Sequence, residues 1–294
     1  MPNWRRCRPN EVSGGRLVRM RGDGLMLAGE AFGDQAAAPV LFFHGGGQSR
    51  SAWRGSARMV GDAGYHGIAF DLRGHGMSEW ASDGDYLLDA YARDVEALLG
   101  QFDRPVTLVG ASRGGQASLV AGSRQPERTR LVMLADVAPL MRDDGVDDMR
   151  RFYAAGEVGF DGVDDAADML AKHFGQARMS DPSRLAKAMR LDERGRWHWR
   201  WDPATGNAEF LHPPSEGEAL LEAAATVRVP VVLVRAEHSN VLTDEGVDRF
   251  RELAPQLDVR VAPGVAHMFT ADRNEAFATD LLEILDHTPE RVAA

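Results

Sequence analysis

The sequence predicts an α/β protein, a mostly parallel, doubly wound sheet carrying a mainly helical insertion. Three observations predict it. Unbroken apolar runs such as "PVLFF" and "PVTLVG" alternate with stretches whose apolar residues recur at helical spacing. Runs without polar alternation belong to strands covered on both faces, as parallel strands are. The alternation stops near residue 140, resumes near 226, and the interval between shows no buried strand.

The elements follow in order. Residues 15–33 read as two short strands around the turn Arg21, Gly22, Asp23, Gly24. Residues 40–43 form a buried strand broken by glycines, and "HGIAFDLRGHG" repeats that shape, its strand ending near Asp71. Leu88, Tyr91, Val95, Leu98 and Phe102 place a helix within 86–102. "PVTLVGAS" is the next strand, followed by a small-residue helix from about 114 to 123 and by the strand "RLVMLADVAP". After the insertion come the strand "PVVLVRAE", a helix over 243–253, the strand "LDVRVAPG" and a final helix over 273–287. The expected division is a core over 1–139, a cap over 140–225 and the rest of the core over 226–294.

Charge and composition exclude several classes. A formal net charge of -10 disfavours nucleic acid or anionic membrane as the main partner. Lys172 and Lys187 are the only lysines, so the abundance of arginine reads as coding bias without functional weight. Cys7 is the single cysteine, which rules out an internal disulfide or thiolate cluster. "MPNWRRCRPN" is basic but has no apolar stretch behind it, unlike a signal peptide, and no run reaches a membrane span of about eighteen residues. The expected location is the cytoplasm. The acidic cluster Asp143, Asp144, Asp147 and Asp148 reads as a solvated face, without the His spacing of a zinc site. No metal or other cofactor is expected.

The chemistry centres on "VGASRGGQAS". Ser112 sits between Gly110 and Gly114, where a strand ends and a helix begins. A sharp turn there crowds the backbone, so the flanking positions must be small, and the turn projects the hydroxyl outward. Strand ends of an open α/β sheet are also where ligands bind. Acyl transfer through a serine creates an oxyanion that needs preorganised N–H donors. The amide of Arg113 is one, and "HGGGQ" supplies the other, at Gly46. For the base, His267 in "VAPGVAHMF" lies one short loop past the last strand, on the same rim as Ser112. His44 and His75 sit in glycine turns and read as loop-orienting residues.

These elements, with "DLRGHGMS", resemble the α/β-hydrolase superfamily, in its bacterial serine branch of esterases, lactonases and cofactor-free haloperoxidase-like proteins. The resemblance covers about 15–140 and 226–287, and such enzymes carry a variable cap where the insertion lies. It implies a serine hydrolase of esters, lactones or similar small acyl compounds that needs no cofactor. The partner is a small-molecule substrate, with neither nucleic acid nor membrane, and a homodimer is left open beside the monomer. One departure stands out. Similar proteins carry Ser-Asp after the strand "PVVLVRAE", the aspartate holding the histidine, whereas this chain reads Ser239-Asn240. Asp136, at the end of the strand after the nucleophile helix, is the favoured replacement, as in certain lipases and lactonases. Glu237, Asp244 and a dyad supported by Asn240 stay open.

Trp197, Trp199 and Trp201 alternate, so an extended segment puts all three rings on one face, more as a pin for the cap than as a substrate contact. Trp53 and Phe269, near proposed site elements, are candidates to line the substrate pocket. Two rival readings remain: hydrolysis of a carbon–carbon bond by the same residues, and a non-catalytic ligand-binding protein on the same scaffold, which Asn240 keeps open.

Overall fold

The computed structural model describes residues 14–142, 151–154, 156–174, 178–207, 214–266 and 274–288. Its elements in chain order are β1 (Arg16–Arg21), β2 (Met26–Phe32), β3 (Pro39–Phe43), α1 (Arg54–Asp62), β4 (His66–Phe70), α2 (Leu88–Leu99), β5 (Val106–Ala111), α3 (Ser112–Arg124) and β6 (Thr129–Ala135). There follow α4 (Val163–Phe174), β7 (Met189–Leu191), β8 (Trp197–Trp199), α5 (Pro214–Thr226), β9 (Val231–His238), α6 (Asp244–Leu253), β10 (Leu257–Ala266) and α7 (Asn274–His287).

Eight strands make one sheet in the order β1-β2-β4-β3-β5-β6-β9-β10. It is parallel from β4 to β10, while β1 and β2 pair antiparallel at one edge. The apolar runs explain this arrangement. In β3, Leu41 and Phe43 join one core cluster while Val40 and Phe42 join another, and β6 splits the same way between Val132 and Leu134 on one side and Leu131 and Met133 on the other. Successive strand side chains face opposite ways, so a run apolar at every position is covered twice. Helices α2, α3, α5 and α6 contribute to the first cluster, and α1 and α7 to the second.

Two expectations change. Helix α5 falls inside the expected cap, yet its Leu220, Ala223 and Ala224 belong to the main core. The insertion also holds the short antiparallel hairpin β7–β8, and the strand pattern of "WHW" is too brief to register as a buried strand. The tryptophan stripe packs into an apolar cluster of the insertion's own residues. Trp199 and Trp201 stack with centroids 5.2 Å apart and cluster with Phe152, Tyr153 and Phe160, while Trp197 packs against that cluster half-buried. The acidic residues 143, 144, 147 and 148 lie outside the described residues. Among the described residues, no helix is long and apolar enough to cross a membrane, and no group of three or more His, Cys, Asp or Glu is placed to hold a metal ion.

Candidate active site

Ser112 is the first residue of α3, directly after β5, and its φ is 45°. Side-chain-bearing residues seldom adopt that left-handed backbone. The neighbouring glycines make the turn feasible. A Cβ on Gly110 would lie 2.4 Å from the carbonyl oxygen of Gly114, and a Cβ on Gly114 would lie 2.5 Å from that of Phe43. Neither position admits a side chain. The backbone N–H of Arg113 belongs to the first turn of α3, whose amides point beyond the helix end.

The loop after β3 faces this turn, with a Cβ on Gly45 meeting that of Ser112 at 3.2 Å. Two buried histidines shape it. His44 Nδ1 donates to the Gly45 carbonyl (2.7 Å), and its Nε2 accepts the N–H of Leu72 (3.0 Å). His75 Nδ1 donates to the Arg73 carbonyl (2.9 Å), and its Nε2 accepts the N–H of Gly47 (3.2 Å). A ring that donates at one nitrogen and accepts at the other is neutral. Burial pushes His44 down to about 4 and His75 down to about 3, the second helped by the imidazole of His44. The Gly45 N–H donates to Gln48 Oε1 (3.0 Å). With Gly45 and Gly47 so tied, no hydrogen bond among the described residues engages the N–H of half-buried Gly46.

Asp71 holds the loop from the other side. It is fully buried, accepts the N–H of Arg50 (2.7 Å) and of Met77 (2.9 Å), and pairs with the Arg50 guanidinium. Gly76 must be glycine here, because a Cβ would meet this carboxylate at 2.2 Å. The motif "DLRGHG" is thus a brace for the loop that carries Gly46. Asp71 was legible as part of that motif, though nothing local announced its role.

Asp136 follows β6, fully buried and also left-handed, with φ of 50°. Its Oδ1 accepts the N–H of Ala236 and its Oδ2 the hydroxyl of Ser239, both at 2.9 Å. The sheet register sets it beside the serine: Ala111 pairs with Ala135 at the ends of adjacent parallel strands, and Ser112 and Asp136 are the residues that follow them. Further along the rim, Ala266 at the end of β10 pairs with His238. His267 and Phe269 come just after it and lie outside the described residues.

A family model described as "alpha/beta hydrolase fold" matches residues 38–273, well over half of the chain. The chain belongs to the α/β hydrolase fold family. The 2-(acetamidomethylene)succinate hydrolase of Mesorhizobium japonicum is 27% identical over 240 residues, 78% of this chain and 81% of the relative. An esterase of Mycobacterium tuberculosis is 26% identical over 260 residues, 85% of this chain and 84% of the relative. A solved structure of E-2-(acetamidomethylene)succinate hydrolase superposes with a TM-score of 0.79 at 22% identity, covering 92% of this chain and 99% of that one, a likeness of fold. Relatives that are hydrolases, esterases among them, support hydrolysis in general as the chemistry of this α/β hydrolase.

The other expected site residues divide. Asn240 is exposed, and Glu237 is exposed with its Oε2 accepting the N–H of Gly264 (2.6 Å). Asp244, likewise exposed, pairs with Arg235. Trp53 departs from the expectation of a pocket residue. It is fully buried in the core, its indole N–H donating to the Phe43 carbonyl (2.9 Å) and its ring packed against Phe42 and Phe277. Proximity in sequence to the glycine loop misled, because helix α7 closes over it from the far end of the chain. Sequence reasoning also missed Phe152, whose ring would meet a Cβ on Gly47 at 2.6 Å, so that the insertion rests on the glycine loop itself.

Proposed function

We propose that this protein is a serine hydrolase that cleaves an ester, lactone or similar small acyl bond through an acyl-enzyme. The observation that carries this reading is shared by two residues. Among the described residues, only Ser112 and Asp136 hold a left-handed backbone without being glycine, and the register makes them neighbours on one rim of the sheet. Such backbones cost about 1–3 kcal/mol each and persist where the surrounding structure over-determines them, which functional sites do.

In this mechanism Ser112 Oγ attacks the carbonyl carbon while His267 takes its proton. The amides of Gly46 and Arg113 donate to the oxyanion as it forms. His267 then protonates the leaving alcohol as the carbon–oxygen bond breaks, leaving the acyl group on Ser112. Water, deprotonated by His267, attacks the acyl-enzyme, and the acid departs as the proton returns to Ser112. Asp136 orients the imidazole and stabilises its charged form. The esterases among the relatives support the bond class.

Reaction with a fluorophosphonate probe tests the reading, because the probe needs an activated serine. Mass spectrometry is expected to find the adduct on Ser112 of the wild-type chain and none on Ser112→Ala. Folded protein that stays unlabelled would favour the non-catalytic binding reading instead.

A further inference from the structure

Strand β9 ends in Glu237 and His238, and Ser239-Asn240 follows. The exposed side is Asn240, and the side turned toward the rim is Ser239. We propose that Ser239 is a positioning residue for the reaction, holding the Asp136 carboxylate in the plane from which it orients His267. This rests on the serine-hydrolase reading above.

The hydrogen bonds around this hydroxyl leave it one direction to act in. A serine hydroxyl has two lone pairs and a single proton. The N–H groups of Leu242 (3.0 Å) and Val241 (3.3 Å) donate to its oxygen. The proton is thereby directed to Asp136 Oδ2, 2.9 Å away. The other carboxylate oxygen is held by the N–H of Ala236, at the same distance. A carboxylate held at one oxygen can turn about its Cβ–Cγ bond. Held at both, from two points three residues apart on one chain segment, it cannot. The backbone of Ser239 is itself tied by its N–H to the Ala236 carbonyl (3.1 Å), so the bracket is rigid. The loop after β9 therefore contributes a hydroxyl to the buried acid of the neighbouring strand, in place of a carboxylate of its own.

The test uses the full chain and two substitutions that are nearly isosteric with each other. Ser239→Val removes the hydroxyl and Ser239→Thr keeps it, and both are checked for folding by circular dichroism. Turnover of a short-chain p-nitrophenyl ester and the rate of fluorophosphonate labelling are measured for each. Ser239→Val is expected to lower kcat and the labelling rate about tenfold, the scale of one hydrogen bond to a charged group, with KM within about twofold. Ser239→Thr is expected to recover most of that loss. Should Ser239→Val fail to fold, Ser239→Ala takes its place in the same comparison. Equal losses in the variants with and without the hydroxyl, or wild-type rates without it, overturn the role of Ser239 while labelling at Ser112 leaves the hydrolase reading intact. A wild-type chain that is not labelled overturns both.

Discussion

Arg113 and Glu216, far apart in sequence, form a buried ion pair at 2.8 Å between the start of α3 and the start of α5. The side chains are only 9% and 5% exposed. The second oxygen of Glu216 accepts the N–H of Leu88 at the start of α2 (2.6 Å), and the guanidinium lies 5.7 Å from the ring centre of Tyr91. Three helix starts therefore converge on the residue that follows Ser112. Removing one partner of such a pair strands the other charge in a poorly solvated place, which costs about 3–5 kcal/mol. Glu216→Ala is expected to lower the urea midpoint accordingly, and Glu216→Gln, which keeps an acceptor for Leu88, to lower it less. Equal midpoints for Glu216→Ala and wild type would contradict this account.

The position of the acid can be tested by exchange. Asp136→Asn keeps the left-handed backbone, which asparagine tolerates well, but removes the charge. Its kcat is expected to fall by about 10³–10⁴, the scale seen when a triad acid becomes an amide. Glu237→Gln is expected to stay near wild type, since that carboxylate is spent on Gly264. A strong gain from Asn240→Asp, with Asp136→Asn unaffected, would move the acid to the loop after β9.

Strain at the nucleophile has a stability signature. With φ at 45°, Ser112 occupies a conformation that glycine adopts freely. Ser112→Gly is expected to be more stable than Ser112→Ala by about 1 kcal/mol, visible as a higher Tm in parallel melts. Neither is expected to be labelled. An alanine variant as stable as the glycine one would mean the turn is not strained.

Acid sensitivity should come first from the two buried imidazoles. In the folded protein His44 and His75 titrate near 4 and near 3, against an ordinary value of 6.5. Burial lowers His66 as well. Between about pH 6.5 and 4 the unfolded chain takes up protons that the folded chain refuses. The stabilisation is complete above 6.5 and is lost as pH falls through that window, by about 1.4 kcal/mol per pH unit for each histidine. Urea midpoints are expected to decline between pH 7 and 5, and His75→Gln is expected to flatten the decline. An unchanged slope in that variant would assign the sensitivity elsewhere.

Sequence alone determined the sheet. "PVLFF" is apolar at every position and "PVTLVG" departs only at Thr107, and short runs of this kind bounded by proline and glycine read as strands covered on both faces. The turn at Ser112 was equally legible, since Gly110 and Gly114 announce a backbone with no room for side chains. Helix α1 was not, because its buried face consists only of Ser56, Ala57 and Val60, too small to register as a periodic apolar stripe. Tertiary structure alone decided that Trp53 belongs to the core, where Phe277 covers it, and that Glu216 meets Arg113. It also decided that Ser239 brackets Asp136. Periodicity and turn chemistry act between residues a few positions apart, so a sequence displays them directly. A hydrogen bond or ring contact across a hundred residues exists only once the sheet register has brought its two ends together.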